Sequence, residues 1–151
     1  MKVLGLLFLV IVVVGCATLS EEERGFVREF DENTKGDDFD ADEIEDFHSA
    51  WFLAGYVALS EKERASMQDS QAVADIKSFL GSDPADDFKS YRDCLTAGDI
   101  NYIRRGGLGF DPKRLNEAVV EADPNHLTAR QKVILTRIVN EMFRGFFFWS
   151  P

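Results

Sequence analysis

Apolar residues recur along this chain at helical spacing. Phe26, Val27 and Phe30 share one face of a segment opened by Ser20-Glu21-Glu22-Glu23, a capping box with Ser20 at the N-cap and Glu23 at N3. That helix is expected to end near Asp31. A second helix is expected from Asp40 or Asp42 to Leu59. Ile44, Phe47 and Trp51 give it one stripe, and residues 50–59 are apolar apart from Gly55. A helix that is apolar all round is buried, and this run falls short of the roughly 20 residues that span a bilayer. It is therefore read as the central helix of a core. Ser60-Glu61-Lys62-Glu63 is a second capping box. The polar stretch after it leads to Val73, Ile76 and Leu80 on one face, with Gly81 as the stop.

Three Asp-Pro pairs (Asp83-Pro84, Asp111-Pro112, Asp123-Pro124) read as N-cap followed by N1, because a helix start leaves that N–H orphaned anyway. The first is expected to open a short helix carrying Phe88, Tyr91 and Leu95 and ended by Gly98. Ile100, Tyr102, Leu108 and Phe110 then fall in a Gly-rich stretch that reads as irregular, or as a short strand lacking a partner. The second pair opens a helix with Leu115, Ala118, Val119 and Ala122. Thr128-x-x-Gln131 opens the last helix, with Ile134, Ile138 and Met142 in a stripe and Gly145 at its end. The pattern predicts an all-α fold, a compact bundle of about six short helices forming one domain over residues 20–151.

The first sixteen residues, MKVLGLLFLVIVVVGC, follow a different logic. Lys2 is a positive n-region and residues 3–14 are an h-region broken only by Gly5, which together describe a secretory signal peptide. Val13-Val14-Gly15-Cys16 resembles the bacterial lipobox, in which an obligatory Cys closes the h-region. The resemblance implies a lipoprotein: cleavage after residue 15, a diacylglycerol thioether on Cys16, and an acyl chain such as palmitate on the new amine. Two or more chains anchor firmly where one does not. The implied place is the bacterial cell membrane, lipid-anchored. With Ala17 rather than Asp after the lipidated Cys, a Gram-negative host would carry it on the outer membrane, facing the periplasm. The tether, residues 16–19, would hold the domain close to the bilayer.

Charge narrows the partners. The chain has 27 acidic against 17 basic residues, a net −10, and loss of Lys2 would make the mature form more negative still. That balance disfavours nucleic acid and favours cations or basic protein surfaces. Two cysteines are present. With Cys16 carrying lipid, Cys94 has no partner in its own chain and reads as a buried thiol, the alternative being an intermolecular one.

Candidate chemistry is sparse. The segment from Leu19 to Ile44 resembles a degenerate EF-hand, a helix–calcium loop–helix unit that holds the ion with oxygens at alternate positions and a terminal bidentate carboxylate. The resemblance implies Asp31, Asn33, Asp37 and either Asp42 or Glu43 as calcium ligands, with Gly36 at the turn. The segment departs from the pattern at Lys35, which replaces an oxygen ligand, and by one residue of spacing before Glu43. The alternative is an acidic helix–helix connection. Cys94, His48 and His126 are the nucleophilic or soft set, without a local signature. Arg104-Arg105-Gly106-Gly107-Leu108-Gly109 has the composition of an anion cradle or of a plain surface loop. Phe146, Phe147, Phe148 and Trp149 cannot all face one core. They either cap the bundle or form a patch for a partner.

These features point to a lipid-anchored cell envelope protein that binds another envelope protein without turnover. A calcium-binding module and a small envelope hydrolase are the alternatives. Calcium is the only cofactor suggested, and the membrane is engaged through the lipid on Cys16.

Overall fold

A computed structural model describes residues 19–34, 41–111, 114–115 and 123–144. The described residues form seven helices: α1 (Glu21–Asn33), α2 (Ala41–Ala58), α3 (Glu61–Met67), α4 (Gln71–Leu80), α5 (Phe88–Asp93), α6 (Ala97–Arg104) and α7 (Ala129–Met142). The fold is all-α, and no strand occurs among the described residues. No helix among them is long and apolar enough to cross a membrane.

Local sequence sets most of the starts. Ser20, Ser60 and Thr128 close capping boxes with Glu23, Glu63 and Gln131, as the sequence predicts. A fourth box joins Thr96 to Asp99 and opens α6. It corrects two expectations: Gly98 lies in the first turn of α6 rather than ending a helix, and Ile100 and Tyr102 are helical. Asp at N3 does the work usually given to Glu or Gln. Ser70 accepts from the Val73 N–H and splits the expected helix over residues 61–80 into α3 and α4. Gly81 ends α4 at φ 73°, the left-handed value that glycine adopts without a Cβ penalty.

The Asp-Pro pairs behave differently from the expectation. Asp83 Oδ1 accepts from the Ala85 N–H at 2.9 Å, and its carbonyl accepts from Asp86 at 3.0 Å. Asp123 Oδ1 likewise accepts from Asn125 at 2.9 Å. Each Asp closes a local turn with its own side chain, so α5 and α7 begin only later, at Phe88 and Ala129. The expected helix from Asp111-Pro112 falls mostly outside the described residues, as does Gly145. Leu115 is described and is buried in the core.

The long α2 is the centre. All but one of its residues from Phe47 to Ala58 are buried, including Trp51, Phe52, Leu53 and Tyr56. Full burial of each large apolar side chain stabilises the fold by about 1.5–3 kcal/mol. Helices α5, α6 and α7 pack on α2, and α1 packs on α7. Residues 133–138 of α7 are consequently buried in an unbroken run rather than along the single stripe that the spacing suggests. Gly55 permits a close approach to α2. A Cβ there would overlap the Phe110 ring and stand 2.7 Å from Leu115 Cδ1.

Candidate functional site

Buried charge is concentrated at one place. Asp99 is 0% exposed, and Arg137, at 9%, lies on the buried run of α7. Asp99 Oδ2 accepts from Arg137 Nη1 at 2.8 Å and from the Thr96 N–H at 3.0 Å, while Oδ1 accepts from Arg130 Nη1 at 3.2 Å. Arg130 also reaches Glu23 Oε1 at 2.7 Å. Burial alone would raise the Glu23 carboxyl, but Arg130, the Ser20 N–H and the Arg137 charge outweigh it and hold the group below its ordinary value. Arg137 lies over the Phe26 ring at 5.1 Å. This network ties α1, α6 and α7 together, and every carboxylate oxygen of Asp99 is occupied. Its chemistry is structural: a buried charge is tolerable only when paired and hydrogen-bonded.

The EF-hand-like segment is described only in part, and Asn33 and Glu43 line one cleft. Asp31 and Asn33 sit on the last turn of α1, where residues two apart point to different sides of the helix. Asp31 Oδ1 accepts from Lys132 Nζ at 2.6 Å. Asp42 and Glu43 stand in the first turn of α2, where carboxylates favour the helix dipole. Asp37 lies outside the described residues. Among the described residues, no group of three or more His, Cys, Asp and Glu side chains converges as a metal requires.

Cys94, His48 and His126 occupy separate environments. Cys94 Sγ donates to the Tyr91 carbonyl at 3.0 Å. Burial pushes its thiol up to about 12, with the Glu141 charge adding to the shift, so it is not an available thiolate. His126 Nδ1 pairs with Asp123 Oδ2 at 2.6 Å in the turn before α7. His48 packs beside Phe47 on α2, and burial lowers its pKa. The Cys16 lipidation position and the aromatic run Phe146, Phe147, Phe148 and Trp149 lie outside the described residues.

Two apolar clefts flank the N-terminal half of α2. One, of about 220 Å³, lies between α1, α2 and α7 and is floored by Phe30, Phe47, Leu135 and Val139. The other, of about 440 Å³, runs between α2 and α4. Its walls are Ile44, Phe52, Ala72, Ile76 and Phe79, with Glu45, His48 and Asp75 at the edge. Ile44, at 37%, is the one exposed large hydrophobic residue among those described. Sequence spacing places Ile44 in one stripe with Phe47 and Trp51. The structure divides that stripe, burying Phe47 and Trp51 and leaving Ile44 in the open groove with Phe52.

No protein-family model, no curated protein and no solved structure matches the chain. The functional reading therefore rests on the residues themselves. The sequence missed Asp99 as a structural centre. The Thr96–Asp99 spacing signals the helix start, but nothing local signals that Asp99 is buried.

Proposed function

We propose that this protein is a lipid-anchored bacterial envelope module, held to the membrane through acylated Cys16, that docks a segment of another envelope protein and turns over no substrate. The observation that carries the docking reading is the groove between α2 and α4. It leaves Ile44 exposed beside half-buried Phe79, with Glu45 and Asp75 along its rim. An exposed apolar surface with a polar border is the mark of an interaction site. Its acidic rim, on a chain of net −10, selects an apolar segment bearing Lys or Arg. The lipobox-like residues 13–16 support the anchor.

Site-specific photocrosslinking in the native envelope tests both parts. A photoreactive phenylalanine analogue at position 44 should give one discrete protein adduct, whose crosslinked peptide is apolar and basic. Phe79→Asp should abolish that adduct, and the analogue at exposed Lys89 should not produce it. A chelator should leave the adduct unchanged. Mass spectrometry of the purified chain should find Cys16 at the N-terminus, acylated. Equal adducts from positions 44 and 89 would reject the groove, and an unmodified Cys16 would reject the anchor.

A further inference from the structure

Several Lys and Arg side chains among the described residues meet a carboxylate. Lys77 pairs with Asp83, Lys89 with Asp93, Lys132 with Asp31, Arg130 with Glu23 and Asp99, Arg137 with Asp99, and Arg144 with Glu141. Arg64, Arg92 and Arg104 are not among them. They come from α3, α5 and α6, and all three line one groove of about 360 Å³. Glu61 is the single acidic residue among the described lining, and none of the three arginines forms an ion pair among the described residues.

Two of these guanidiniums are held in place. Arg64 donates through Nη1 to the Leu59 carbonyl and stacks on the Phe88 ring at 3.9 Å from its centroid. Arg104 donates through Nε to the Ala58 carbonyl at 3.0 Å. These bonds cap the C-terminal end of α2, yet each uses one of the five donors that a guanidinium carries. Arg92 is exposed and caps nothing among the described residues. The cap thus accounts for part of two side chains and leaves the gathering of three unexplained. Three like charges in one groove against the single carboxylate of Glu61 leave an excess of positive charge there, which an anion would relieve.

We infer that the groove bounded by Arg64, Arg92 and Arg104 is a binding subsite for a phosphate group, either free as a small phosphate ester or carried on an anionic lipid head. Phosphate fits better than carboxylate. Its oxygens are arranged tetrahedrally and accept from guanidiniums on several sides, whereas a planar carboxylate is satisfied by one fork. Positions fixed by main-chain carbonyls reduce the ordering cost of binding. Arg105, the neighbour of Arg104 in sequence, faces a different hollow with Glu23 and Arg130. The Arg-Arg-Gly-Gly stretch is therefore not itself the cradle.

Calorimetric titration of the full mature chain in a non-ionic detergent tests this inference. The probes are inorganic phosphate, dihexanoyl phosphatidylglycerol below its micelle concentration, and nitrate at matched ionic strength. One saturable site is expected for at least one phosphate probe and none for nitrate. Arg92→Gln should weaken binding at least about fivefold, as expected for loss of a charge-assisted contact. Arg104→Gln should do the same, and Arg105→Gln should change nothing. Preference for inorganic phosphate would assign a soluble source, and preference for phosphatidylglycerol a lipid head. Arg92→Gln removes an exposed side chain, so it keeps the test valid if Arg104→Gln fails to fold. Absence of saturable binding by either phosphate probe, equal binding of nitrate, or an Arg92→Gln protein that binds as the parent does would overturn the inference.

Discussion

Asp99 is an ordinary residue in an ordinary sequence context, between Gly98 and Ile100. Folding makes it the most constrained charge described here. It meets Arg130, Arg137 and the Thr96 N–H, and it has no access to water. Removing it leaves Arg137 buried without a counter-ion. Asp99→Ala should therefore cost about 3–5 kcal/mol, the range for breaking a buried pair from one side. Urea unfolding followed by circular dichroism measures this directly, and a loss below 1 kcal/mol would show that water reaches the site. Nothing in the local pattern distinguishes Asp99 from Asp93, which pairs on the surface with Lys89 at 2.6 Å. Charge burial depends on what the rest of the chain places around it.

At the scale of elements, sequence and structure agree where the determinant is local. Capping boxes need residues three apart, so Ser20, Ser60 and Thr128 announce their helices without tertiary help. The apolar run in α2 announces a buried helix for the same reason. Agreement fails where two local interactions compete. Asp83 and Asp123 suit either an N-cap or a side-chain turn, and the structure uses the turn in both cases. Packing of elements adds what no window of sequence contains. Gly55 is a poor residue for the middle of a helix, yet Phe110 and Leu115 close over it. Gly55→Ala should thus destabilise by about 1–3 kcal/mol through overpacking, despite the intrinsic helix preference for Ala. Thermal unfolding decides the sign, and a raised midpoint would mean that the Phe110 ring moves aside freely.

For the whole molecule, the titrating groups set how stability depends on pH. Glu23 has its folded pKa below 4.5 through the Arg130 network. Asp83 is held below 3.8, mainly by the Lys77 ammonium and the Ala85 N–H. Their contributions are complete above those ordinary values and are lost as pH falls through the lowered folded ones. Burial lowers His48 below 6.5, so the unfolded chain takes up its proton first and stability declines as pH drops under 6.5. Glu45 and Asp75, on the rim of the same groove, do not reverse that direction. The urea midpoint should therefore rise from acid pH to about 6.5 and then level off. His48→Gln should flatten the upper part of the rise while leaving the acid limb. A rise that persists unchanged in His48→Gln would remove His48 as its source.

Residue type and spacing alone determined the helical class, most helix starts, the left-handed stop at Gly81 and the existence of a buried central helix. Each depends on groups within a few residues of one another. The chain alone also carries the lipobox-like signature, which is a matter of local order. Tertiary structure decided the burial of Asp99, the division of the Ile44–Phe47–Trp51 stripe and the meeting of Arg64, Arg92 and Arg104. All of these join residues from different helices, and periodicity along a chain does not record which helix faces which. The meeting of α1, α6 and α7 creates the buried polar network, and α3, α5 and α6 bring the three arginines to one groove.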